Sequence, residues 1–146
     1  MTDIREINFD MDGTIADLYG VDGWLDDLIN ENTRPYEIAK PLLNLQALAR
    51  VLNNKKKQGY TIKVISWLSK KGSAEYHNKI TKAKMGWLKK HLASVEWDEV
   101  IIVPYGTPKQ SLGKGILFDD EENNRKNWNG QAYDVQNIIE TIKGLE

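Results

Sequence analysis

Two aspartates separated by one residue, Asp10 and Asp12, close a short apolar run within INFDMDGT. On extended backbone alternate residues share a face, so both carboxylates point the same way while Met11 turns toward the interior. Two like charges aimed at one spot repel, and the pair is costly unless a cation, a shared proton or a substrate makes use of it. Gly13 and Thr14 add backbone freedom and a hydroxyl beside the pair. Ser66, Lys109 and the doublet Asp119-Asp120 extend the inventory to more carboxylates, a second hydroxyl and a cation. Hard carboxylate oxygens with no histidine or cysteine among them favour Mg²⁺, which takes a few carboxylates together with substrate phosphate and water. A phosphate dianion in turn draws on a lysine and on hydroxyl or amide donors. The inventory matches phosphoryl transfer, in which positioning and charge neutralisation dominate. One Asp can then act as a nucleophile through an aspartyl-phosphate. A second can protonate the leaving alcohol and later activate water.

Such residues act together only if the chain brings them to one place. The pattern predicts a strand over 4–9 ending at Asp10, with a mixed segment from about 15 to 41 that carries a short helix around Trp24, Leu25, Leu28 and Ile29. Pro35 and Pro41 punctuate that segment. Leu42, Leu45, Leu48, Ala49 and Leu52 recur at helical spacing and run into Lys55, Lys56 and Lys57 before Gly59, as a helix C-terminus does. Residues 60–65 read as a β-branched strand with Ser66 at its end, and Ser73 reads as the N-cap of a second long helix. Its buried stripe is expected at Ile80, Ala83, Trp87, Leu88 and Leu92. The apolar run over 100–103 predicts a strand covered on both faces. A fourth strand is expected over 116–118, running straight into Asp119 and Asp120. A last helix is expected from near Asp134, with Val135, Ile138, Ile139 and Ile142 on one side. Alternating strands and helices predict an α/β fold, a mainly parallel sheet with helices on both faces. Ligands of such sheets bind outside the carboxyl ends of the strands, where all the candidate residues fall.

The strand followed by DMDGT, the Ser66 strand end, Lys109 and the FDDEEN stretch over 118–123 together resemble the haloacid dehalogenase (HAD) superfamily of phosphohydrolases. Within it the chain is most similar to 5′-nucleotidases of the 5′(3′)-deoxyribonucleotidase type, which also end the fourth motif in paired aspartates and place a lysine about ten residues before them. The resemblance spans nearly the whole chain. It implies a three-layer Rossmann-like HAD fold, one domain over 1–146 with a small helical cap at about 15–41. It implies Asp10 as nucleophile and Asp12 as general acid and base. Ser66 and Lys109 become phosphate ligands, with Gly13, Thr14 and Trp67 beside them, and Lys114 is the alternative lysine. Asp120, with Asp119 in support, becomes the magnesium anchor alongside Asp10 and the backbone carbonyl of Asp12. Only about fifty residues separate Thr14 from Ser66, so the cap is shorter than in the larger nucleotidases and leaves the substrate less enclosed.

Other readings fall away or stay open. The Asp-x-Asp start fits an EF-hand loop poorly, because Ile15 and Val21 occupy its required glycine and acidic positions. A solvated acidic turn at Asp119-Asp120-Glu121-Glu122 is the bland alternative to a metal site. His77 and His91 lie nearly four helical turns apart, too far to share a metal, and read as surface residues. Tyr19, Trp24, Tyr36 and Trp67 could stack on a nucleobase, although Trp24 could equally pack the cap helix, while Trp87 and Trp97 read as core. Twenty basic residues balance twenty-one acidic ones and there is no cysteine, so no global field draws the chain to nucleic acid or membranes, and disulfides and thiolate chemistry are excluded. The opening MTDIREINFD is too polar for a signal peptide, and a cytoplasmic protein is expected. The expected substrate is a small phosphorylated molecule, a nucleoside monophosphate by the same resemblance. Lys70 and Lys71 follow the Ser66 strand end and could meet an anionic substrate. Two alternatives remain at this level: a phosphatase acting on polynucleotide ends, and a non-catalytic binding module of the same fold.

Overall fold

The computed structural model describes residues 4–145; residues 1–3, the start of the polar opening stretch, and 146 lie outside them. Its centre is a five-stranded parallel sheet. In chain order the strands are β1 (Glu6–Phe9), β4 (Thr61–Trp67), β5 (Glu99–Val103), β6 (Ile116–Phe118) and β7 (Ala132–Tyr133), arranged β5-β4-β1-β6-β7. β2 (Ala16–Asp17) and β3 (Lys40–Pro41) pair separately and antiparallel. The first strand is shorter than expected because Ile4 is exposed. β4 runs two residues further than predicted, so Ser66 and Trp67 are its last members and are hydrogen-bonded in register with Ile102 and Val103. β5 is an edge strand whose apolar residues are half-buried, which corrects the expectation of a strand covered on both faces. An apolar run of that length does not separate an edge strand from a central one. β7 had no sequence signal beyond two residues.

Strand residues alternate cleanly between the faces. Ile7, Phe9, Ile62, Val64 and Phe118 pack into the main core with α3 (Leu45–Lys57), α4 (Ala74–His91) and α6 (Ile138–Lys143). Phe9 stacks on Phe118 at 5.3 Å and meets Trp97 edge-on at 6.0 Å. Asn8, Lys63, Ile65 and Leu117 face the other way, beneath Leu112 and Trp128. That second layer is thin. Between β5 and β6 the chain forms only a loop with one 3₁₀ turn, Lys109–Ser111, and α5 (Glu122–Asn127) follows β6. The expected helices on both faces are therefore unequal, long on one side and reduced to a turn and a six-residue helix on the other.

Capping explains the helix boundaries. α3 starts three residues later than Leu42 because the Asn44 side chain accepts from the Ala47 N–H. Ser73 caps α4 as expected, accepting from the Tyr76 N–H. α6 begins at Ile138 rather than near Asp134, after Asn137.

Residues 15–41 form the segment between β1 and α3. β2 and β3 draw its two ends together, and α1 (Trp24–Ile29) and α2 (Arg34–Ile38) lie between them. Pro35 opens α2 rather than breaking structure, a position where its missing N–H costs nothing. This segment docks on α4. The Tyr76 hydroxyl donates to the Asn32 carbonyl at 3.0 Å and the Trp87 indole N–H donates to the Ala39 carbonyl at 2.8 Å. The Glu31 carboxylate accepts from the Ser73 hydroxyl and N–H. Among the described residues no helix is long and apolar enough to cross a membrane.

Candidate functional site

β1 and β6 are hydrogen-bonded neighbours, and the bond from the Asp10 N–H to the Phe118 carbonyl (2.9 Å) brings Asp10 beside Asp119 and Asp120. One carboxylate oxygen from each of the three aspartates lies within 4.8 Å of the others. Lys109, 2% exposed, reaches into this cluster from the 3₁₀ turn after β5. Its Nζ donates to Asp10 Oδ1 at 2.8 Å and to Asp119 Oδ2 at 2.9 Å. Burial alone would lower the Lys109 pKa, but Asp10 and Asp119 more than offset it and hold the ammonium charged. Lys114 is exposed and takes no part in the cluster. Of the two lysines considered from sequence, only Lys109 sits among the acids.

Each acid is braced differently. Asp10 Oδ2 accepts from the Thr14 hydroxyl at 3.0 Å. Asp119 is fully buried, accepts from the Glu121 N–H and from Asn124 Nδ2, and has its pKa pushed up to about 6 by burial and by Asp10. Asp120 is pushed up to about 8 by burial, by its hydrogen bond to Asp10 and by repulsion from Asp10 and Asp119. Gly13 makes the close approach of Asp120 possible. It has φ +84°, and a Cβ there would lie 2.4 Å from Asp120 Oδ2. The donor set is all carboxylate oxygen, and the pKa values raised first by burial and then by the neighbouring acids mark negative charge that a divalent cation would stabilise. These residues could hold a hard divalent cation.

The Asp12 carboxylate lies outside the triad. Its Oδ2 pairs with Lys84 Nζ at 2.9 Å. Burial raises the Asp12 pKa while Lys84 works against the rise. Lys84 also donates to Ser66 Oγ and to the Trp67 carbonyl, each at 2.7 Å. Because Ser66 Oγ accepts from Lys84, its own hydrogen remains to be offered elsewhere. The Trp67 indole N–H is taken up by the Thr107 carbonyl at 2.8 Å, so Trp67 presents a ring face, with Lys109 Nζ 5.3 Å above it.

Asp10, Asp12 and Lys109 open onto a cleft of about 290 Å³ between the core and the 15–41 segment, near the small end of known small-molecule sites. Tyr19 and Trp24, edge-on at 5.0 Å, line it from the segment; Trp67 and Tyr105, also 5.0 Å apart, line it from the core. A neighbouring recess is lined by Leu25, Leu28 and Ile29 with Lys70 and Lys71. Tyr36 also lines the cleft, though it is largely buried with Lys84 Nζ over its ring. Trp87 is buried as expected and Trp97 half-buried. His77 and His91 are half-buried, His77 against Ser69 and His91 against the Trp87 ring.

Lys84, Asn124 and Tyr105 escaped sequence reasoning. For Lys84 a signal existed: it stands four residues after Ile80 and three before Trp87, a cation in the middle of a buried stripe. Asn124 and Tyr105 carried none. Fold and site define an α/β protein with an acidic, lysine-braced centre at the carboxyl edge of a parallel sheet. No protein-family model matches the chain, and no curated protein matches it.

Proposed function

We propose that the protein is a Mg²⁺-dependent phosphomonoesterase of the HAD type, acting through an aspartyl-phosphate at Asp10 on nucleoside monophosphates. The observation that carries this reading is the setting of Asp10. Its carboxylate is held by Lys109 and Thr14, shares the acidic cluster with Asp119 and Asp120, and faces a cleft with aromatic walls.

Asp10, Asp119 and Asp120 would hold the metal, which when bound supplies charge neutralisation for the phosphoryl oxygens. A carboxylate oxygen of Asp10 attacks phosphorus, the bond to the ester oxygen breaks, and Asp12 gives that oxygen its proton. Asp12 then takes a proton from the water that attacks phosphorus, the acyl phosphate splits, and Asp10 is restored with release of phosphate. Lys109 holds Asp10 in place through its 2.8 Å bond to Oδ1, and Ser66 can donate its hydroxyl hydrogen to a phosphoryl oxygen. The ring faces of Tyr19, Trp24, Trp67 and Tyr105 suit a planar base, which stacking favours by roughly 1–3 kcal/mol per contact.

Phosphate release should be measured from a broad panel of monoesters in Mg²⁺, with a chelator control and an Asp10→Asn variant. The reading expects release from nucleoside monophosphates, lost with the chelator and reduced at least about 10³-fold in the variant. No release from any ester, or full activity of Asp10→Asn, refutes it. Removal of phosphate from polynucleotide ends is favoured by one feature, the recess beyond the cleft lined by Lys70 and Lys71. Oligonucleotides preferred over mononucleotides, with the preference fading as salt rises, would decide for it.

A further inference from the structure

We infer that Lys84 is a positioning residue, a buried ammonium that fixes Asp12 for proton transfer to the leaving group. The inference rests on the proposed phosphomonoesterase reading and adds a residue to it.

Lys84 lies in the middle of α4 and is fully buried. An ammonium has three hydrogens to give, and three acceptors surround it: Asp12 Oδ2 at 2.9 Å, Ser66 Oγ at 2.7 Å and the Trp67 carbonyl at 2.7 Å. The fourth side is closed by the Tyr36 ring, whose centroid is 5.4 Å from Nζ. No hydrogen is left for a phosphoryl oxygen, so Lys84 acts through Asp12 and Ser66 and not on substrate. Burying a lone ammonium is expensive, and an apolar side chain of similar length would pack in a helix stripe at less cost. What the cation adds is direction. It clamps one oxygen of Asp12, leaves the other for the cleft that Asp12 lines, and ties that carboxylate to the end of β4 and to α2. Asp12 lies beyond β1 in a tight turn in which the Met11 carbonyl accepts from the N–H groups of Thr14, Ile15 and Ala16, and the cation that pairs with its carboxylate is Lys84.

Lys84→Met tests this with two substrates. A nucleoside monophosphate must release a sugar hydroxyl that needs a proton, whereas p-nitrophenyl phosphate releases a phenolate that does not. kcat/KM, which covers the steps up to the phosphoenzyme, should fall about 100-fold for the nucleotide, within the usual worth of general acid catalysis. It should fall less than about threefold for the aryl ester. Lys84→Gln, which keeps a donor for Ser66 or the Trp67 carbonyl, should show the same selectivity if Lys84→Met is too unstable to assay. Combining Asp12→Asn with Lys84→Met should add nothing to Asp12→Asn alone on the nucleotide. Parallel losses on both esters, or failure of both Lys84 variants to fold, overturn the inference and make the residue structural. A wild-type protein inactive on both esters instead overturns the phosphomonoesterase reading and this inference with it.

Discussion

Lys109→Met removes the cation from the centre of the site while keeping a side chain of similar length. The ammonium it deletes bridges Asp10 and Asp119, whose side chains are 10% and 0% exposed. Water reaches these acids only through the cleft and replaces the ammonium poorly. Removing one partner from a buried ion pair costs about 3–5 kcal/mol. For a domain of this size each kcal/mol lowers Tm by about 2–4 °C, so the variant should melt roughly 6–20 °C below wild type in metal-free buffer at neutral pH. The carboxylates can soften the loss by taking up protons, so the gap should narrow toward acid pH. A divalent cation supplies the missing charge from the other side of the same acids, so Mg²⁺ should raise Tm more in the variant than in wild type. Thermal unfolding followed by circular dichroism, with and without Mg²⁺, measures both effects. Lys114→Met, an exposed lysine five residues on, is the control and should stay within about 0.5 kcal/mol of wild type. A Lys109→Met protein melting within about 2 °C of wild type without metal, or equal Mg²⁺ increments in both, would refute the electrostatic account.

Gly13→Ala should weaken Mg²⁺ binding at least about tenfold by titration calorimetry, because its Cβ would displace Asp120. Gly23→Ala, at a similar positive φ but with open space around it, should cost about 1–3 kcal/mol of stability and leave Mg²⁺ affinity unchanged. Asp119 and Asp120 have folded pKa values raised to about 6 and about 8. The folded protein thus binds more protons than the unfolded chain between the ordinary aspartate range and about pH 8, and metal-free stability should fall as pH rises through that window. Mg²⁺, which binds the ionised forms, should then raise Tm more at pH 8 than at pH 5; equal increments would count against it. Tyr19→Ala and Tyr105→Ala, from the two walls of the cleft, should each raise KM for a nucleoside monophosphate about fivefold or more, as lost stacking of about 1 kcal/mol requires. Each should leave kcat, and KM for a simple alkyl phosphate, unchanged.

Much of the fold could be read from the chain because its parallel strands end in chemistry. Asp10, Ser66, Lys109 and the Asp119-Asp120 doublet each close a predicted strand or follow one, and the structure gathers Asp10, Lys109 and the doublet at one edge of the sheet. Periodicity found α3 and α4 because their apolar residues recur at helical spacing over several turns. It missed α5 and β7, which are too short to show a period. It misjudged β5 as well, since Val100 to Val103 are equally apolar whether the two faces of the strand are fully covered or only half-buried. The partition of the acids was not legible at all. Asp10 and Asp12 share a face by backbone geometry, yet one pairs with Lys109 and the other with Lys84, and that choice is made by a loop and a helix distant in sequence. Lys84 interrupts an apolar stripe, and helical spacing alone does not say which acid such a buried cation meets.

Acid quenching during turnover of a nucleoside monophosphate carrying radiolabelled phosphate tests the central claim most directly. Label bound to the protein in Mg²⁺, released by hydroxylamine, mapped to the peptide containing Asp10 and missing from Asp10→Asn is the predicted result. Phosphate release with no label on the protein, or label that persists when Asp10 is replaced, would contradict an aspartyl-phosphate at this residue.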